Sequence, residues 1–204
     1  VGAKPGMIAG LDNFCWPDPV QSDATPDGRH KLAQLVRACQ ALYDTCLTYG
    51  IPLISGKDSM KNDYRIGDTK ISIPPTILFT AAAIIEDIGR VVSMDVKEAG
   101  HRVYVLGETR DEMGGSEYGA WRGLQGGQSP QVYPLSARML YDRLHAAIQA
   151  GLAASCHDCS DGGLAVALAE SAFAGDFGMT VSLSSLEVSP GTSALFSESQ
   201  SRFV

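Results

Sequence analysis

Residues 164–174, Leu-Ala-Val-Ala-Leu-Ala-Glu-Ser-Ala-Phe-Ala, are apolar almost all the way round a helix, so this helix is expected to be buried. The chain enters it through Cys156-His157-Asp158-Cys159-Ser160-Asp161-Gly162-Gly163. Two acids, a hydroxyl and a glycine pair thus meet a helix N-terminus, where unpaired N–H groups and the positive end of the dipole favour an anion. Two readings stay open from the pattern alone. One is a phosphate or nucleotide site; the other is a plain cap, with Ser160 or Asp161 as N-cap and the glycines easing the turn.

Around this segment the chain alternates between strand and helix signals. Leu32, Leu35, Val36, Cys39, Leu42, Tyr43 and Cys46 recur at helical spacing behind Thr25-Pro26-Asp27, and Gly50 closes that helix. Residues 51–55, 71–73, 76–85 and 103–106 read as strands, and Ala137, Leu140, Tyr141, Leu144, Ala147 and Ile148 mark a second amphipathic helix. Residues 119–134, rich in Gly and Gln, read as a mobile loop. The polar segment 94–101 puts a domain boundary near residue 96.

At 204 residues, 45% hydrophobic and 19% charged, the chain has the makeup of a globular protein with one large or two small domains. A net charge of −7 without any Lys/Arg cluster argues against a nucleic-acid partner. No apolar run reaches membrane-spanning length, and the opening residues lack the order of a signal peptide, so no membrane partner and a cytoplasmic location are expected. Five cysteines, an odd number, do not suggest a disulfide framework. The chain begins at Val1 and stops in what reads as the start of a strand, which suggests a piece of a longer protein.

Two further loops resemble the first in kind. The strand 51–55 runs into Gly56-Lys57-Asp58-Ser59-Met60, which has a glycine, a cation, an acid and a hydroxyl but not the spacing of a P-loop. Gly114-Gly115-Ser116-Glu117-Tyr118 offers glycines for close approach to a phosphate and a hydroxyl donor, or else a tight turn and a capped helix.

Taken in order, Leu11-Asp12-Asn13-Phe14, the Gly50 to Met60 segment, Leu106-Gly107-Glu108-Thr109, Met113 to Tyr118 and His157 to Glu170 resemble the phosphoribosylformylglycinamidine synthase family, in its synthetase subunit or domain. The likeness covers nearly the whole chain. It implies an α/β fold of the aminoimidazole ribonucleotide (AIR) synthetase type. Residues 1–95 would be the latter part of the N-terminal, barrel-type domain, and residues 96–204 the C-terminal domain, cut short at its end. The chain would be part of the second of two such modules.

The resemblance also implies chemistry. ATP would activate the formamide-type oxygen of formylglycinamide ribonucleotide, and ammonia from a glutaminase domain or subunit would displace the phosphate, with Mg2+ assisting. Asp12, Gly56, Asp158 and Ser160 match nucleotide-contacting positions; Ser59, Gly114, Gly115 and Ser116 match positions toward the ribonucleotide. Metal binding would fall to Asp58 and Asp158, since Lys57 stands where small members of the family carry an Asn ligand and a cation cannot coordinate a metal. No catalytic residue is assigned, because the family's catalytic histidine belongs to the missing first module. Two alternatives remain: a structural half that holds a nucleotide without turnover, or another ATP-dependent enzyme of this fold. Cys156 and Cys159 form a single C-x-x-C pair without a second pair at ligand spacing, and His157 reads as a packed or capping side chain rather than a general base.

Overall fold

In a computed structural model, residues 1–186, 188 and 191–204 are described. The chain forms two compact units, one of Ala3–Ile84 and one of Ile85–Val204 joined by Val1–Gly2.

The first unit is a mixed three-stranded sheet with one long helix and a hairpin. Strand β1 (Ile8–Cys15) is central, parallel to β2 (Leu53–Ser59) and antiparallel to β5 (Thr76–Ala83). Helix α1 (Gly28–Tyr49) provides the crossover between β1 and β2, as a parallel pair requires. Gly50, in the left-handed region, ends it by donating to the Cys46 and Leu47 carbonyls. Asp27 occupies the N-cap but makes no side-chain cap bond; its carboxylate instead pairs with Lys31 at 3.1 Å. Strands β3 (Asp63–Ile66) and β4 (Thr69–Ser72) form the separate hairpin.

One irregularity decides which side chains share a face. The β1–β2 register shifts between Gly10 and Leu11, so that Gly10 pairs with Leu53 but Leu11 with Ser55. Ile54 is the extra residue, and a one-residue slip exchanges the two faces of a strand. Beyond it Asp12 pairs with Gly56, Asn13 with Lys57, Phe14 with Asp58 and Cys15 with Ser59.

The second unit is built on α4 (Gly163–Ala174), whose Leu164, Ala167 and Leu168 form a core with Cys159. Val105, Met179, Leu183, Leu186 and Val204 pack against this core. Leu164 is 1% exposed, and burying a leucine contributes about 1.5–3 kcal/mol. The helix is buried along one side only: Val166 and Phe173 are 37% and 69% exposed, against the expectation of burial all round. Helices α2 (Glu117–Arg122), α3 (Pro134–Gln149) and α5 (Thr192–Phe196) complete the unit.

Two further sequence expectations change here. The strand expected at 103–106 reduces to a bridge in which Leu106 and Phe203 exchange N–H···O bonds of 2.8 and 3.0 Å. The segment 119–134, expected to be a mobile loop, begins inside α2, and its remainder up to α3 is largely exposed and without regular secondary structure, with hydrogen bonds to the preceding turn at Gln128 and Gln131. Gly114 donates to the Gln128 carbonyl at 2.8 Å and Gln131 N–H to the buried Glu112 carboxylate at 2.9 Å.

Candidate functional site

The residues singled out by sequence fall into two groups, one in each unit. In the first unit, Asp12 and Gly56 are register partners on neighbouring strands, and the Asp12 carboxylate lies over the bare Gly56 backbone. A methyl group on Gly56 would run into that carboxylate, so the glycine makes room for the acid. Asp12 and Asp58 both line a cavity of about 810 Å³ between α1 and the sheet, together with Phe14, Leu35, Cys39 and Tyr43.

Lys57 and Ser59 point to the opposite face, with Asn13 as their neighbour on β1. The Lys57 ammonium donates to the Ser59 hydroxyl at 2.6 Å. Ser59 is fixed through its carbonyl, which accepts from Trp16 N–H at 2.8 Å and from the Asn62 amide at 2.7 Å. The structure therefore joins Asp12 with Gly56 and Asp58, and Lys57 with Ser59, but separates the two sets by the thickness of the sheet. The Gly-Lys-Asp-Ser segment is also part of β2 rather than a loop beyond it.

In the second unit the cap reading of the Asp158 segment fails. Gly162 takes the N-cap of α4 in the left-handed region without a side-chain cap bond. The Ser160 hydroxyl donates to the Asp158 carboxylate instead. That bond, ahead of the nearby His157, holds the Asp158 carboxyl below the usual carboxylate range despite partial desolvation. His157 lies between two acids, with Nε2 2.7 Å from Glu170 and Nδ1 3.5 Å from Asp158. The Asp158 side chain remains 63% exposed, so an ionised, accessible oxygen ligand is available.

The Gly114–Ser116 turn behaves differently from its sequence reading. Ser116 is 2% exposed and caps α2; its hydroxyl accepts from Gly119 N–H at 3.1 Å and donates its proton to the Met113 carbonyl at 2.9 Å. The hydroxyl is committed to the turn. Gly114 is packed under the Gly127 and Gln128 backbone, while the Cβ position of Gly115 faces open space.

Sequence reasoning missed the residue that links these loops. Glu198 accepts at one carboxylate oxygen from Glu117 N–H at 2.8 Å and from Gly162 N–H at 2.9 Å. Its segment is anchored by the wholly buried Ser197 and Ser199 and by Arg202, 1% exposed. Arg202 donates to the Ser199 carbonyl at 2.9 Å, to the Thr109 hydroxyl at 3.0 Å and to the Ser197 carbonyl. Burial pushes the Arg202 guanidinium below its ordinary pKa. A lone acid between two serines has no periodicity to announce it. The available signal was its position between small polar residues and an arginine.

Comparison with known proteins places this geometry in a family. The profile described as AIR synthase related protein, C-terminal domain, matches residues 98–204. The chain belongs to that family. Along its whole length it is 35% identical to phosphoribosylformylglycinamidine synthase subunit PurL of Deinococcus radiodurans and 36% identical to that of Leifsonia xyli subsp. xyli. It spans about a quarter of these curated relatives, 27% and 25% of their lengths. Among solved structures, Thermotoga maritima PurL complexed with ADP matches at a TM-score of 0.63 and 17% identity, over 99% of this chain and 29% of that one. The same protein complexed with FGAR gives 0.61 and 18%, over 99% and 31%. These likenesses show an α/β fold of the AIR synthetase type.

Proposed function

We propose that this chain is part of a synthase that converts formylglycinamide ribonucleotide to formylglycinamidine ribonucleotide in purine biosynthesis. ATP is consumed, and the ammonia is drawn from a glutaminase domain or subunit. The observation that carries the reading is the 35% identity to a PurL subunit over the entire chain. Support comes from the fold shared with Thermotoga maritima PurL complexed with FGAR, ADP and ATP, and with PurLQS from the same organism. In this reading residues 1–95 belong to an N-terminal domain that requires a first module as partner, residues 96–204 form the C-terminal domain, and the protein works in the cytoplasm. Among the described residues no helix is long and apolar enough to cross a membrane.

Each group of residues then has a part. Asp12 over Gly56 is assigned to a nucleotide and Ser59, held by Trp16 and Asn62, to the ribonucleotide. As these two lie on opposite faces of the sheet they do not flank a single phosphoryl transfer, and the ATP that reacts at the Ser59 face is held with residues of the missing module. Lys57 beside Ser59 supplies positive charge for a phosphate. Asp158 and Ser160 take a nucleotide at the second unit. The turn 114–116 shapes the ribonucleotide side there through its backbone, since the Ser116 proton is used internally.

Magnesium fits the donor chemistry. Among the described residues no three His, Cys, Asp or Glu converge, but Mg2+ keeps several waters and is held by one or two carboxylates plus phosphate oxygens. Asp158, ionised and exposed, meets that need, and Asp58 shares its cavity with Asp12. When bound, the ion neutralises phosphate charge.

The test is an ammonia-dependent assay of the full-length protein carrying this segment. Ser59→Ala is expected to raise KM for the ribonucleotide, and Asp158→Ala to reduce nucleotide retention. Normal turnover and retention in both variants would overturn the assignments.

A further inference from the structure

We infer that Glu198 is a positioning residue that sets the register between the Asp158 loop and the Gly114–Ser116 turn, so that nucleotide and ribonucleotide sites in the second unit are adjusted together. The inference rests on the function proposed above. Its geometry does not: one oxygen of Glu198 receives the first amide of α2, at Glu117, and the N-cap amide of α4, at Gly162. These two amides belong to loops more than forty residues apart in sequence, and each lies directly beside a segment assigned to a ligand. Hydrogen bonds to a charged acceptor are among the stronger ones, and here two share a single atom, so neither loop can shift without loosening the other.

The backbone that carries the carboxylate is firmly anchored. Ser199 next to it is fully buried and accepts from Arg110 N–H at 3.0 Å, and Ser197 on the other side bonds Ser199 through their hydroxyls at 2.9 Å. The Ser197 carbonyl lies against Gly163, so the Glu198 segment also touches the start of α4 directly. Because both bonds end on one oxygen, a neutral carbonyl oxygen at the same place can accept both, though without the charge that strengthens them. This separates positioning from metal ligation, which needs the charge.

The experiment compares Glu198→Ala and Glu198→Gln in the full-length protein. Hydrogen exchange would be followed in peptides spanning 113–119 and 158–166, with ADP binding and ammonia-dependent kinetics beside it. Glu198→Ala is expected to speed exchange in both loops, and to raise both the ADP Kd and the ribonucleotide KM by about tenfold, with kcat much less changed. Glu198→Gln, which keeps both bonds but in neutral form, should fall between wild type and the alanine variant on every readout. Faster exchange in one loop only, unchanged constants in the alanine variant, or a glutamine variant as impaired as alanine would each overturn the inference. A wild-type protein that does not consume the ribonucleotide would instead overturn the proposed function, with exchange and ADP binding still deciding the role of Glu198.

Discussion

The imidazole Nε2 of His157 lies 2.7 Å from the Glu170 carboxylate, two turns into α4, while its other nitrogen faces Asp158 at 3.5 Å. Glu170 thereby fixes the ring that flanks the metal-binding candidate, in the manner of an outer partner orienting a ligand. Glu170→Ala is expected to cost about 1 kcal/mol of stability, kept small because the Glu170 side chain is 41% exposed and water screens the pair. It should also weaken nucleotide retention at Asp158. Urea denaturation and the ADP content of purified protein measure the two effects.

The low Asp158 pKa predicts an acid dependence. Since the folded pKa lies below the unfolded value of about 4, the contribution is fully present above that value and is lost as pH falls through the folded pKa. Its first cause is the Ser160 hydroxyl. Ser160→Ala should therefore be less stable than wild type near pH 6, and the gap should be smaller at about pH 3, below the unfolded value. A gap that is constant with pH would show that Ser160 acts by packing alone. Parallel denaturation curves at the two pH values decide it.

Much of the fold could be read from local pattern, because helical spacing and β-branched runs act over short distances. The α1, α3 and α4 signals and the strand at 76–83 correspond to elements within a few residues. What sequence could not supply is set by contacts between distant segments. The bulge at Ile54 depends on how β1 and β2 pair, and it alone turns Asp58 toward Asp12 and Ser59 away. The strand expected at 103–106 has apolar residues of the right kind but pairs only through Leu106. Glu198 acquires its role from two amides that the sequence places 36 and 81 residues away.

The thiols should differ widely in reactivity. Cys159 is 8% exposed, and burial first of all pushes its pKa up to about 11, whereas Cys39 on α1 is exposed. Because the thiolate is the reacting form, Cys39 should be modified by a disulfide reagent near pH 8 well before Cys159. The same shift makes a stability contribution that is present below the unfolded thiol pKa of about 8.5 and lost as pH rises toward 11. Mass mapping after timed labelling would show the order, and equal rates at the two sites would contradict the burial of Cys159.

Two glycines at the sites predict opposite balances of stability and function. A methyl group at Gly163 would meet the Ser197 carbonyl, which is backbone and cannot swing aside, and the residue has φ +66°. Gly163→Ala should therefore cost about 2–4 kcal/mol through overpacking and backbone strain together. At Gly56 the added methyl meets the Asp12 carboxylate, the movable end of a side chain, with the Asp12 backbone oxygen at a tight 3.3 Å. Gly56→Ala should cost about 1 kcal/mol or less, yet displace the acid assigned to the nucleotide. Thermal unfolding and ADP titration of the two variants separate these effects. If Gly56→Ala kept full ADP affinity, the placement of Asp12 over Gly56 would have no part in nucleotide binding.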